Sequence, residues 1–170
     1  GNEIGILRYD IDRELVKIGQ VPENVLATLL AVEDNKFWLH NGVDIRAISR
    51  AMIQNVTSGG ITQGGSTITQ QIVKLRVVGN ERSFNRKIRE AVLASRLEEE
   101  FSKEEILEFY LNEVYFGNGA YGLQAAAETY FGKSADSLDV GDAAFLAGLI
   151  RSPSIFDGFQ NIGMMSKRRS

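Results

Sequence analysis

Cysteine is absent from this chain, so a disulfide framework, a thiolate nucleophile and a cysteine zinc site are all excluded. A single histidine, His40, rules out multi-histidine metal centres and leaves one candidate imidazole, so carboxylates must carry most acid-base chemistry. Only 2 prolines occur, against 44% hydrophobic and 24% charged residues, which excludes collagen-like, low-complexity and wholly disordered classes. Charge of one sign is lacking too. The 19 basic and 22 acidic residues leave a net charge of -3, so attraction to nucleic acid is not a global property and any anion site must be a local cluster. Neither a signal-peptide pattern nor a run of 18 apolar residues is present. With 170 residues the expectation is one domain, able to bury roughly two thirds of its unfolded surface.

What is present reads as helices. Residues 1–20 have weak periodicity and suggest an extended lead-in with one short strand. Pro22 suits a first helical position, and Val25, Leu26, Leu29, Leu30, Val32 and Phe37 recur at helical spacing up to about Leu39. Asp44 can cap a second helix, with Ile48, Ala51, Met52 and Asn55 three or four residues apart before a Thr57-Ser58-Gly59-Gly60 break. A third helix is expected from Ser83 to Phe101, with Phe84, Ile88, Ala91, Val92 and Ser95 on one stripe and Leu93, Leu97 and Phe101 on its neighbour. Ser102-Lys103-Glu104-Glu105 has the form of a capping box and predicts that a new helix starts there. Tyr121 to Phe131, ended by Gly132, and Asp139 to Ile150, ended near Pro153, complete a mainly α domain. The tail from Gly163 to Ser170 reads as the start of a helix cut short.

Ala51 to Val73 departs from this pattern, for it carries no charge in 23 residues yet only 8 of them are Ala, Val, Ile or Met. Its four glycines, four threonines and four glutamines describe a flexible hydrogen-bonding stretch, either a plain surface loop or one able to touch lipid or sugar without desolvating a charge. The part around Gly59 to Gly65 is expected to be mobile without ligand.

Three constellations could carry chemistry. Glu33 shares a helical face with Leu26, Leu30 and Phe37, where partial desolvation would raise its pKa and make it a better proton acceptor; Asp34 sits about 100° further round. An exposed helix-end carboxylate pair, with His40 packing or capping nearby, is the bland reading. Gly60 to Thr67 (GITQGGST) nearly fits a phosphate-binding loop but has Ser66 at the lysine position, so nucleotide hydrolysis is not expected. The amides of Gly64 and Gly65 and the hydroxyls of Ser66 and Thr67, helped by Gln70, Gln71 and Lys74, could still hold an anion or sugar. Finally, Arg86 and Lys87 lie four and three residues before Glu90 and should keep it ionised. With Arg82 and Lys74 they could stabilise a departing pyrophosphate; the bland reading is a solvated helix face.

Glu33-Asp34-x-x-Phe37-x-x-His40-x-Gly42, Gly64-Gly65-Ser66-Thr67-Ile68-Thr69-Gln70-Gln71, Arg86-Lys87-x-x-Glu90 and Ile106-Leu107-Glu108-x-Tyr110-Leu111-Asn112 occur in this order. Together they resemble the peptidoglycan glycosyltransferase domain (glycosyltransferase family 51) of class A penicillin-binding proteins and monofunctional transglycosylases. The likeness runs from about Pro22 to Pro153. It implies a lysozyme-like helical head with a smaller hydrophobic jaw, here about residues 44–80, that dips into the outer face of the bacterial cytoplasmic membrane. The implied activity is polymerisation of lipid II into β-1,4 glycan strands with release of undecaprenyl pyrophosphate, as inhibited by moenomycin-type phosphoglycolipids.

By position, the resemblance makes Glu33 the general base. Glu90 would assist at the donor pyrophosphate, directly or through a divalent cation (Mg2+ or Mn2+), beside Lys74, Arg82, Arg86 and Lys87. Ser66, Thr67, Gln71 and Tyr115 would line the donor site, and Asp34, Phe37 and His40 would shape the cleft. No organic cofactor and no nucleic acid is implied. The implied partners are lipid II, the growing lipid-linked glycan, a transpeptidase domain in a bifunctional member and other cell-wall synthesis proteins. Departures are Leu75 where Asn is usual after the Lys, Ile150-Arg151 in place of a common Leu-Pro, and no anchor before residue 1, so the sequence reads as an excised catalytic domain. A lysozyme-type glycoside hydrolase and an inactive lipid II-binding scaffold are the rivals.

Overall fold

The computed structural model describes residues 14–50, 65–78 and 84–151. Of the expected lead-in over 1–20, residues 1–13 lie outside the described residues, and residues 14–20 hold no strand but a 3-10 turn at Ile18–Gln20. The positions Ala51, Met52 and Asn55, the break at 57–60, the region 59–64, Arg82 and the tail after Arg151 also lie outside the described residues. Within them the protein is mainly α, with two isolated bridges, Asn41 to Val43 and Tyr115 to Tyr121, as the only β pairing. The chain divides into two compact units, one of residues 1–33 with 107–170 and one of residues 34–106. The second extends beyond the 44–80 stretch on both sides.

In the first unit, α1 (Glu23–Glu33) follows Pro22, whose carbonyl accepts from the amides of Val25 and Leu26. Val25, Leu29 and Leu30 form its buried stripe. The helix stops at Glu33, earlier than the apolar spacing suggested, and Phe37 belongs instead to a separate 3-10 turn, Phe37–Leu39, of the other unit. Residues 107–113 are the later part of α5 (Lys103–Glu113). Asn112 from α5 ties down the lead-in, accepting from the Val16 amide at 2.9 Å and donating to the Val16 carbonyl at 2.9 Å. A tight loop then leads to α6 (Leu123–Phe131), ended by left-handed Gly132 at φ 66°, as its sequence signal predicts. The last described helix of this unit, α7, runs from Val140 to Arg151, packs on α1 and buries Ala143, Leu146, Ala147 and Leu149. Asp139 and Asp142 cap its start reciprocally, each carboxylate accepting the other's amide at 2.9 Å.

In the second unit, α2 begins at residue 45 and is described to residue 50. Asp44 caps it as expected, accepting from the Ala47 amide at 2.9 Å. Thr67 caps α3 (Ile68–Val73) in a capping box with Gln70, and a π-helical stretch, Lys74–Val78, follows. Then α4 (Phe84–Glu100) packs against α3. Its buried stripe is Glu90, Ala94 and Leu97, whereas Ile88 and Val92, on the expected stripe, are half exposed. Apolar count alone misled here: the buried face carries Glu90, whose charge is met by Arg86 and Lys87. Gly42 at φ 80° fits against the backbone of Ala94 and Ser95, and its carbonyl accepts from the Thr67 hydroxyl at 2.6 Å. Ser102 and Glu105 form the expected capping box at the start of α5. The amide and hydroxyl of Ser102 bonded to Glu105 hold that carboxyl below its ordinary value.

Candidate active site

Two clusters of the second unit collect most of the residues singled out by sequence. In the first, Glu90 is 1% exposed, and a carboxylate taken out of water costs several kcal/mol unless it is paired. The pairing is complete: Arg86 Nη1 donates to Oε1, and Lys87 Nζ lies 3.1 Å from Oε2. Lys87 also donates to Ser66 Oγ at 2.6 Å, so the residue just ahead of the Thr67 cap is tied to the carboxylate through one ammonium. Two cations and one carboxylate leave a positive excess, with the Lys87 side chain 41% exposed. The i+3 and i+4 spacing read from sequence therefore produces the contacts it predicted.

The second cluster centres on Asp34, which lies just past α1 rather than on it. Its Oδ2 lies 2.9 Å from His40 Nε2 and accepts from the Ile68 amide at 3.0 Å. The other ring nitrogen, Nδ1, lies 3.4 Å from Lys103 Nζ and 3.7 Å from Glu98 Oε1. Lys103 in turn pairs with Glu98 Oε2 at 2.7 Å and sits 4.5 Å from the Phe37 ring centre, and Thr69 donates to Glu98 Oε1. Asp34, Phe37 and His40 thus have their side chains engaged inside the second unit, as does Thr67, whose hydroxyl bonds Gly42 and the Gln70 amide. Glu98, Thr69 and Lys103 are not among the expected site residues: Thr69 meets Glu98 across 29 residues and Lys103 meets His40 across 63, separations that no spacing rule links. Lys74 stands exposed at the first π-helical residue, and Gln71 is half-buried in α3.

In the first unit Glu33 ends α1 with its side chain 7% exposed. Leu30, on the same face, is buried as well, and Arg151 Nε approaches Oε1 at 3.9 Å while Nη2 donates to the Val32 carbonyl at 3.3 Å. Arg151, noted in sequence only as part of a departure from a common Leu-Pro, comes near Glu33 because α7 packs on α1. Tyr115, half-buried, has its ring centre 4.6 Å from that of Tyr121.

The profile of the transglycosylase family matches residues 1–170. The chain belongs to the transglycosylase family. It is a peptidoglycan glycosyltransferase domain of family 51 by that membership. Curated relatives agree: it is 46% identical to penicillin-binding protein 1A of Aquifex aeolicus over 158 residues, which is 93% of this chain and 22% of that protein. It is 39% identical to penicillin-binding protein 1F of Bacillus subtilis, covering 99% of this chain and 24% of that protein. To penicillin-binding protein 1A of Pseudomonas aeruginosa it is 41% identical, over 99% of this chain and 20% of that protein. The chain thus spans between a fifth and a quarter of the length of these relatives. In this transglycosylase-family domain, no described helix is long and apolar enough to cross a membrane.

Proposed function

We propose that this domain polymerises lipid II at the extracytoplasmic face of the bacterial cytoplasmic membrane, with Glu33 as general base and the Glu90 cluster as the anion clamp. The acceptor's sugar 4-hydroxyl loses its proton to Glu33 as its oxygen bonds the donor's anomeric carbon. The bond from that carbon to the pyrophosphate oxygen breaks in the same displacement, its electron pair leaving with undecaprenyl pyrophosphate. The α-linkage is thereby inverted to β. Such a step needs one base and one site for growing negative charge, and no covalent nucleophile.

The observation that carries the reading is the buried Glu90 carboxylate held by Arg86 and Lys87, with Ser66 on the same ammonium. A glycoside hydrolase, whose leaving group is a sugar hydroxyl, has no use for such cations. At Glu33, the carboxylate that would accept the proton has Arg151 Nε 3.9 Å from its Oε1. Lys74, Arg82, Gln71 and Tyr115 complete the proposed donor site. The donor set around Glu90 does not suit a Mg2+ or Mn2+ ion. Both carboxylate oxygens already face cations, and no three His, Asp or Glu side chains converge among the described residues. Charge compensation is therefore assigned to Arg86 and Lys87. For the whole protein the reading extends to a lipid-linked glycan product, a transpeptidase domain elsewhere in the chain and association with other cell-wall synthesis proteins.

The test is incubation of the domain with lipid II and, separately, with finished peptidoglycan. Chain growth from the first, lost in Glu33→Gln, is the expected result. Muramidase products from the second with no growth from the first would overturn it in favour of hydrolysis, and lipid II binding without turnover would favour a scaffold.

A further inference from the structure

The loop between α5 and α6 is built to a tighter specification than a connection requires. Gly117, Asn118 and Gly119 have φ values of 88°, 51° and 76°, three successive left-handed residues, and Asn118 is the only non-glycine described with positive φ. Glycine takes that region freely and asparagine tolerates it better than other L side chains, so the sequence suits the turn and the surroundings need only fix it. They do so here: Phe116 donates to Ala120, Ala120 to Gly117 and Gly122 to Val114, each at 2.9 Å, and the Tyr130 hydroxyl bonds the Phe116 carbonyl at 2.9 Å. Gly122, at φ 85°, lies so close to α5 that a Cβ would stand 2.7 Å from the Asn112 carbonyl oxygen.

What this scaffold presents is specific in chemistry. Asn118 is exposed at the tip, and Tyr121 is 47% exposed with its ring backed by Tyr115, tilted by 34°. The Tyr115 phenol oxygen accepts from the Gly119 amide at 3.3 Å, which links the backing ring to the tip. From Val114 to Ala127 the sequence is uncharged. A rigid aromatic ring and a neutral amide, with no charge between them, suit neither a pyrophosphate nor a charged peptide. They suit a neutral pyranose, whose C–H face packs on an aromatic ring while its acetamido and hydroxyl groups meet an amide.

We propose that Tyr121 and Asn118 form a saccharide subsite, Tyr121 packing against a sugar ring of the glycan and Asn118 bonding its polar edge, with Tyr115 as the support. The inference rests on the proposed glycan-polymerising function and names the loop that holds the sugar. Its probe is a soluble oligosaccharide of alternating N-acetylglucosamine and N-acetylmuramic acid, free of lipid and pyrophosphate, titrated by calorimetry and by backbone amide NMR.

Tyr121→Ala is expected to weaken binding about tenfold while Tyr121→Phe stays within about twofold, as loss of an aromatic contact predicts. Asn118→Gly, which keeps the left-handed backbone and removes the amide, should weaken it by about threefold. Amide shifts should concentrate in residues 114–122. Tyr121→Ala binding as tightly as wild type, or shifts confined to other segments, overturns the subsite. Should Tyr121→Ala melt well below wild type, Asn118→Gly and the shift map decide. Wild type that polymerises lipid II while Tyr121→Ala binds glycan normally would sink the subsite and leave the function standing. Tyr121-dependent glycan binding without polymerisation would do the reverse.

Discussion

Replacing Gly42 with alanine separates two costs that usually arrive together. A Cβ at Gly42 would stand 2.5 Å from the Ala94 carbonyl carbon and oxygen and 2.6 Å from the Ser95 amide nitrogen. Those are backbone atoms inside α4, so relief requires moving a helix rather than turning a side chain. At φ 80° the residue also pays the left-handed penalty of roughly 1–2 kcal/mol for any L side chain. Moving α4 by most of an ångström disturbs the Ala94 contact and the Thr67 bond to the Gly42 carbonyl, so the total should reach about 3–5 kcal/mol. Gly132 provides the comparison: it is left-handed at φ 66°, yet nothing lies within 4 Å of its Cβ position. Gly132→Ala should show the conformational penalty alone, about 1 kcal/mol. At roughly 2–4 °C per kcal/mol for a chain of this size, thermal unfolding should fall by about 10 °C or more for Gly42→Ala and by about 3 °C for Gly132→Ala. Equal losses in the two variants would refute the steric reasoning, since both share the backbone term.

Other perturbations probe the charged groups. Lys87→Met should leave the fold close to wild type, because Arg86 still pairs with Glu90, yet lower lipid II turnover at least tenfold; unchanged turnover would remove Lys87 from the clamp. Asp44→Ala should destabilise by about 1 kcal/mol through loss of the α2 cap, and Asp44→Asn by much less, measured in urea; equal losses would show that the cap is not the cause. Burial raises the Asp44 carboxyl, but amide bonds from Ala47 and Arg46 and the charges of Lys36 and Arg50 outweigh it and leave it below its ordinary 3.8. Asp142 is raised by burial likewise and lowered further by Lys133 and Asp139, ending below 3.8. Both therefore contribute stability that is complete above pH 3.8 and lost as the pH falls through their folded values, while Lys133, raised above 10.5 by its bond to Asp142, contributes below 10.5 and loses it above. An Asp142→Asn variant should flatten part of the acid limb in a pH-dependent melt; an unaltered limb would count against the pairing.

Sequence carried the local features well. The Ser102–Glu105 box, the Asp44 cap, the Gly132 stop and the Arg86–Lys87–Glu90 spacing all depend on residues within four positions of one another, and all are found. It failed where a distant element decided the outcome. The apolar spacing ran on to Phe37, but α1 ends at Glu33, and Asp34 beyond it bonds the Ile68 amide 34 residues later. On α4, Ile88 and Val92 are half exposed while Glu90, paired with Arg86 and Lys87, and Ala94, against Gly42, are buried. Arg151 reaches Glu33 from the far end of the chain, and no spacing rule could have linked them.

The buried imidazole has an experimental consequence. Because His40 is the chain's sole histidine, ring signals from an otherwise unlabelled sample need no assignment, and they report directly on a cluster that joins the start of α3 to the end of α4 and the first residue of α5. One resonance pair thus becomes an intrinsic gauge of whether that internal tie is intact, readable in any variant or with any added ligand.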